Sequence, residues 1–430
     1  LHDLTIAFKE GLAQNAPRAK KSLNSAVYIH HIRGIGMFLQ KFPPMGVYET
    51  LFKFQDATGS YMGDPGTHPW AQGFPLTTQL PGGPELPSKV EFQPSDLKYP
   101  AASGVDKLRI AIRDYYNDFY GADISEDNIA VFAGGRPAIF ATLLFLQRDV
   151  KVMIEETEYT PYYDKLKMLD RAYEVIPSNP SNLFKPGMQD YRSARTKCGG
   201  KTFLIKSNPC NPTGVTWEDN QLKELVDFAS DGNHGGIFDE AYEFFSENGP
   251  VSAMRYVKNI DKTNVFVIGA ATKGLQVPGM RTGWVIAAKE HIEIFRNFSS
   301  IAMGGVSRPS QIYVANLLEK SRVTNAREAV VRFYNEQRKR YEKGLSSLGI
   351  ELYTGTGGFY HWGRLPKGLT AEEFNQRLFK HKAAVLPGTL CDMNRLGEKG
   401  IHSKFMRFSF GPLSADSYNQ DIEIIKSALS

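Results

Sequence analysis

The chain has 430 residues, of which 42% are hydrophobic and 23% charged, and a formal net charge of +5; this is long enough for two domains, and the composition is that of an ordinary globular protein and not of a disordered or fibrous one. Its lysines and arginines are interspersed with acids, so neither a nucleic-acid face nor a polybasic membrane surface is expected, and the mild basic excess suits small anionic ligands. Cys198, Cys210 and Cys391 have no metal-like spacing and fit a reduced, cytoplasmic setting, the first residues carry no signal-peptide pattern, and no apolar stretch approaches the ~20 residues of a bilayer span.

Along the chain, the first 35 or so residues have a helical Ala/Lys/Leu periodicity that Phe42-Pro-Pro-Met-Gly46 interrupts. Residues 56–98 are rich in Gly and Pro and predict extended or loop structure, long enough to suggest a functional role. An alternating pattern follows. It predicts a helix over 108–120, a strand over 128–133 and a helix over 137–146. Short apolar runs come next, at 151–154, 173–176, 202–206, 235–238 and 265–269, with a helix over 218–229 among them. Apolar strands alternating with helices predict an α/β fold with a mostly parallel sheet covered on both faces. A long charged helix over 327–346 then marks a change of composition. Strands at 350–354 and 359–362 and a helix over 371–381 predict a separate, smaller α+β domain of roughly 100 residues.

The loops at the carboxyl ends of these strands, where open α/β sheets place ligands, carry distinctive groups. After strand 128–133 come Gly134-Gly135-Arg136-Pro137 and a helix, a start that lets backbone N–H groups and the helix dipole meet a phosphate; a tight strand–helix turn is the plainer explanation. Within Glu155-Glu-Thr-Glu-Tyr-Thr-Pro-Tyr-Tyr163, Tyr159 is the aromatic best placed to stack on a planar heterocycle. The loop Ser207-Asn-Pro-Cys-Asn-Pro-Thr-Gly214 is stiffened by two Asn-Pro pairs, and it can aim the Asn211 amide as a donor. Asp239 and Tyr242 follow strand 235–238, the first suited to hold a ring nitrogen protonated or to cap a helix, the second to donate to a ring oxygen. Arg407, flanked by aromatics in Phe405-Met-Arg-Phe-Ser-Phe410, is suited either to a bidentate grip on a carboxylate or to a surface salt bridge.

Lys273 stands just past strand 265–269, and Arg281 follows two helical turns later. A lysine at the end of a buried strand is costly unless its amine is used or neutralised. A Schiff base with an aldehyde does this, and an arginine nearby suits the phosphate of that aldehyde. The cofactor that fits is pyridoxal phosphate.

Together, Tyr99-Pro-Ala-Ala-Ser-Gly104, the Asn211-Pro-Thr-Gly loop, Asp239 with Tyr242, Lys273 with Arg281, Pro387-Gly388 and Arg407 resemble, in this order, the class I/II aminotransferase family of fold-type I pyridoxal-phosphate enzymes. The resemblance implies a large cofactor-binding domain around a seven-stranded sheet (residues 85–320). It also implies a smaller α+β domain built from both chain ends (1–84 and 321–430). Lys273 would form the internal aldimine, Asp239 would pair with the pyridine nitrogen, and Asn211 and Tyr242 would bond the ring oxygen. Tyr159 would stack on the ring. Gly135, Arg136, Thr272 and Arg281 would hold the phosphate, and Arg407 the substrate α-carboxylate, beside Asn211. Tyr99 would reach the phosphate of the neighbouring subunit in a homodimer with shared sites. The implied reaction moves an α-amino group from an amino acid to a 2-oxo acid.

The chain departs from the family at Ala270, where a serine is usual three residues before the lysine, and at Arg136, where small or amide residues are common. A rearranged phosphate cup is expected. The segment His68-Pro-Trp70-Ala-Gln-Gly73 is expected either to line the site, with Gly73 at the substrate, or to be a surface loop. His30, His31 and His361 are expected to be structural. Trp70, Tyr99, Tyr159, Phe359 and Tyr360 favour apolar or aromatic substrates. The same apparatus serves a lyase, decarboxylase, cyclase or oxidase, and a non-catalytic pyridoxal-phosphate-binding regulator is a further alternative.

Overall fold

The computed structural model describes residues 42–430, so the helix expected near the start of the chain, with His30 and His31, lies outside the described residues. The apolar runs pair into a sheet of β1 (Ile129–Phe132), β2 (Lys151–Glu155), β3 (Tyr173–Ile176), β4 (Thr202–Ser207), β5 (His234–Asp239), β6 (Asn264–Ala270) and β7 (Gly283–Ile286). Their spatial order is β1-β7-β6-β5-β4-β2-β3. The strands from β2 to β6 run parallel, while β7 runs antiparallel to both β6 and β1. Every residue of β1, β4 and β7 is buried, which is why they read as continuous apolar runs. Alternate residues divide between two cores: Phe132, Ile154, Ile205 and Ile237 pack on one face, and Val131, Met153, Leu204 and Phe238 on the other.

Eleven α-helices surround the two sheets among the described residues: α1 (Tyr48–Thr58), α2 (Asp106–Tyr120), α3 (Gly135–Phe145), α4 (Pro161–Met168), α5 (Met188–Cys198), α6 (Asp219–Ala229), α7 (Lys289–Ala302), α8 (Arg308–Leu317), α9 (Lys320–Ser347), α10 (Ala371–Leu378) and α11 (Tyr418–Leu429). None is long and apolar enough to cross a membrane. The charged helix expected over 327–346 is the core of α9. The helix expected over 371–381 is α10 followed by a tighter turn, Phe379–His381.

A second, antiparallel sheet is ordered β10-β11-β9-β8, from β8 (Glu351–Leu352), β9 (Tyr360–Arg364), β10 (Leu386–Pro387) and β11 (Phe405–Ser409). Helix α1 builds onto this part of the chain. The Phe54 ring meets Phe379 edge-on at 6.0 Å, Lys53 reaches Glu372 at 3.3 Å, and His68 bridges Ala383 in parallel. Helix α1 and His68 thus pack against the chain that follows β9.

The reversal of β7 positions the site. Gly283, its first residue, is paired with Phe132 at the end of β1 and with Ala270 at the end of β6. The turn before β7, carrying Arg281, therefore lies on the same edge of the sheet as the ends of the parallel strands.

Candidate active site

That edge opens into a cavity of about 380 Å³, a size typical of small-molecule sites. Its wall is assembled strand by strand. Gly135 and Arg136 come from the end of β1, Tyr159 from the end of β2, Asn211 from the loop after β4, Asp239 and Tyr242 from β5, and Thr272 and Lys273 from the end of β6; Arg281 precedes β7.

The Lys273 amine donates to the carbonyl of Gly73 and lies 5.9 Å from the centroid of the Phe359 ring. Burial, followed by the guanidinium groups of Arg136, Arg407 and Arg281, lowers its pKa to about 7, against the opposing pull of Asp239. The shift moves the amine toward the neutral form that a nucleophile or a base must have.

Asp239 ends β5 as a buried carboxylate. Tyr162 donates to its Oδ2 at 2.6 Å, and the Ala241 N–H donates to Oδ1 at 3.2 Å. Burial raises the Asp239 pKa and the Tyr162 hydroxyl works against that rise, so a cationic partner at this carboxylate would offset its burial. Tyr162 was not singled out from the sequence. It stands three residues after Tyr159, on the first turn of α4, and that spacing after Pro161 was the available signal.

The hydroxyls of Tyr242 and Tyr360 share a hydrogen bond, and burial raises the pKa of both phenols, that of Tyr360 to about 12. The Asn211 amide donates to these hydroxyls at 3.3 and 3.5 Å and accepts from Arg407 Nη1 at 2.8 Å. Arg407 is 2% exposed, donates from Nη2 to the Ala71 carbonyl at 2.7 Å, and lies 4.3 Å from the centroid of the Tyr360 ring. It is not the surface salt bridge that its sequence context also allowed. Its Nε finds no hydrogen-bond partner among the described residues.

The backbone around Gly134 forms a cradle. Gly134 has φ +104°, and a Cβ there would meet Arg281 Nη2 at 2.6 Å. Helix α3 begins at the next residue, so its first N–H groups point toward the cavity from a site only glycine can form. Arg281 is tied to the Ala133 and Pro278 carbonyls at 3.1 and 3.0 Å, and Arg136 Nε donates to the Tyr159 hydroxyl at 2.7 Å. Ala270 and Thr272 are also on the wall, where Ala270 offers no hydroxyl and Arg136 adds a guanidinium beside the helix start. This cradle, the cavity volume, and the lysine and carboxylate that share its wall fit pyridoxal phosphate.

The loop that aims Asn211 is held from both sides. The Asn208 side chain bonds the Trp217 carbonyl and N–H at 2.9 and 2.8 Å. Beneath it Lys206, fully buried, pairs with Glu155 at 2.8 Å and Glu158 at 3.3 Å. Burial opposes the Lys206 charge, but the two carboxylates outweigh it and hold the ammonium above its ordinary range. The Ser207 hydroxyl donates to Glu158 at 2.6 Å and accepts from the Asn211 N–H at 3.3 Å.

The segment 68–73 contributes carbonyls, from Ala71 and Gly73, and not the side chains its sequence suggested. His68 instead pairs with Asp421 at 2.9 Å, and Trp70 packs on Phe408 with ring centroids 5.3 Å apart. His361 is buried among Thr354 and the Arg338 carbonyl. Tyr99 does not join the cavity of its own chain and is 90% exposed.

A family model described as aminotransferase class I and II matches residues 78–420. Aspartate aminotransferase of Pyrococcus horikoshii is 29% identical over 70% of this chain and 76% of that protein. LL-diaminopimelate aminotransferase of Dehalococcoides mccartyi is 24% identical over 74% and 84%. In fold, the chain is similar to an aspartate aminotransferase tetra mutant of Thermus thermophilus complexed with tryptophan, with a TM-score of 0.77 at 20% identity over 92% of this chain and all of that one. A match over most of its length, joined to the lysine-centred cavity, shows that the chain belongs to the class I and II aminotransferases and is a pyridoxal-phosphate-dependent aminotransferase.

Proposed function

We propose that Lys273 carries the cofactor covalently and that the cavity wall divides the work around it. Asp239 faces the ring nitrogen, Asn211 and Tyr242 the ring oxygen, and Tyr159 the ring face. Gly135, Arg136, Thr272 and Arg281 take the phosphate. Arg407 and Asn211 grip the substrate α-carboxylate, with the Gly73 backbone alongside. The observation that carries this reading is the buried Lys273 amine, which lines one cavity together with Asp239, Arg136 and Arg281.

When bound, pyridoxal phosphate supplies an electron sink for the electron pair released at the substrate Cα. The chain's own residues do the rest. Arg407, preorganised by Ala71 and Asn211, orients the substrate so that its Cα–H points at Lys273. The neutral Lys273 amine, once released by the substrate, takes and returns that proton. The rings of Phe359 and Tyr360 beside Lys273 and Arg407 support an amino acid with an apolar or aromatic side chain, paired with a 2-oxo acid.

The proposal extends to a cytoplasmic homodimer active in amino-acid metabolism, in which the exposed Tyr99 reaches the phosphate held by the neighbouring subunit. The three cysteines are free thiols, which supports a reducing compartment.

The purified protein is expected to be yellow and to bleach with a subset of amino acids, with colour restored by a 2-oxo acid. Ammonia release or oxygen uptake that needs no oxo acid would overturn transamination in favour of another outcome at Cα.

A further inference from the structure

Away from the cavity, the segment after β2 meets the connection between β10 and β11. Thr157 forms an isolated bridge with Asp392, and the Met393 N–H donates to the Glu156 carbonyl at 2.8 Å. The junction gathers the carboxylates of Glu156 and Asp392 and the imidazole of His402, whose potential ligating atoms all lie within 4.8 Å of one another. Asp392 and His402 are 0% and 1% exposed, and Glu156 is half-buried.

The hydrogen bonds fix the tautomer of the ring. The Thr157 hydroxyl has one proton and donates it to the Ser178 carbonyl at 2.7 Å. Its 2.7 Å contact with His402 Nε2 then requires the proton to come from the ring. In the neutral imidazole, Nδ1 is therefore a bare lone pair. It finds no hydrogen-bond partner among the described residues, although buried polar atoms rarely go unpaired.

The carboxylates are oriented but not neutralised. The Asn394 and Leu396 N–H groups donate to the two oxygens of Asp392 at 2.8 and 2.9 Å. Ser178, Asn179 and Asn394 donate to Glu156 at 3.2, 3.3 and 3.3 Å. Glu156 Oε2 accepts twice, but Glu156 Oε1 and both Asp392 oxygens each keep a second lone pair. Two negative charges and a buried bare nitrogen make an environment that calls for a cation.

We propose that Glu156, Asp392 and His402 Nδ1 bind a divalent transition-metal cation of the Zn²⁺ or Mn²⁺ type. An imidazole among carboxylates favours these ions over Ca²⁺ or Mg²⁺, which prefer all-oxygen shells. A ring N–H donated to Thr157 matches the way a metal-bound histidine is held from behind. Metal–ligand bonds are about 2.0–2.2 Å long, and the half-buried Glu156 carboxylate is the one with room to adjust to them. The ion would staple the 391–402 connection to the segment that leads into Tyr159, on the chain path toward Arg407. The site stands apart from the cofactor reading.

The test is calorimetric titration of chelator-treated holoenzyme with ZnCl2, then with MnCl2 and CaCl2. One Zn²⁺ or Mn²⁺ per chain is expected, bound more than about tenfold more weakly in Glu156→Gln and His402→Gln, and about tenfold more weakly in Thr157→Val, which removes only the group behind the ring. Absence of binding, unchanged affinity in His402→Gln, or a preference for Ca²⁺ over Zn²⁺ overturns the proposal. Should the His402 variant fail to fold, the wild type supplies its own readout: Zn²⁺ is expected to shift the ¹⁵N resonance of His402 Nδ1, and an unmoved resonance at saturating Zn²⁺ rejects the site.

Discussion

The Tyr162 hydroxyl donates to Asp239 Oδ2 at 2.6 Å, both groups being buried. The bond fixes the carboxylate that is proposed to face the cofactor ring, so Tyr162 is a positioning residue. Tyr162→Phe is expected to weaken pyridoxal-phosphate binding to the apoprotein by about tenfold or more, since a hydrogen bond to a charged group contributes roughly 1.5–3 kcal/mol. Affinity within twofold of wild type would remove Tyr162 from the site.

Lys273→Ala is expected to abolish borohydride-reducible attachment of the cofactor while leaving Arg281, Gly135 and Asp239 in place to bind it non-covalently. Mass spectrometry after reduction reads this directly, and a surviving covalent adduct would refute the assignment.

The apoprotein should respond to pH through the same amine. Burial and the neighbouring arginines lower the Lys273 pKa from 10.5 to about 7, so between these values the unfolded chain binds more protons than the folded one. Stability from this group therefore rises with pH across that window, by up to about 1.4 kcal/mol per pH unit, and is at its lowest below pH 7. Urea midpoints of apoprotein at pH 7, 8 and 9 should climb more steeply in wild type than in Lys273→Met; parallel profiles would contradict the shift.

Lys206→Met would leave Glu155 and Glu158 buried without their cation. Breaking one side of such a pair costs about 3–5 kcal/mol, so the denaturation midpoint is expected to fall sharply. A loss below about 1 kcal/mol would mean that the carboxylates accommodate themselves without it.

Gly134→Ala combines φ +104° with a Cβ only 2.6 Å from Arg281 Nη2. The backbone strain alone is worth about 1–3 kcal/mol, and the displaced guanidinium should also lower cofactor affinity. Equilibrium unfolding and pyridoxal-phosphate titration check the two effects separately.

Lys273, Asp239 and Asn211 are legible in the sequence because each follows an apolar run, and the end of a run in a parallel sheet names the edge a residue joins. The remainder depends on relations no local pattern carries. Strand β7 is four residues long, and its direction is set by the turn at Arg281. The Lys206–Glu155–Glu158 cluster needs β2 and β4 to be neighbours, and to a reader of the sequence these are ordinary charges on short strands. The carbonyls of Ala71 and Gly73 have no residue signature, since every backbone unit offers one. Tyr162 is distinguished from Tyr163 only once α4 is known to start at Pro161.

The placement of β7 also bears on how the chain comes together. Among the described residues, β1 has β7 as its one neighbour in the sheet, so this early-made strand pairs only with the last strand of the sheet to be synthesised. Gly134 and Arg281 meet only when that long-range pairing closes, a slow kind of event in β-containing folds. The corner where Gly134 meets Arg281 thus depends on pairing the two strands of the sheet that lie farthest apart in the sequence, and capture of a phosphate there would report that the sheet has closed.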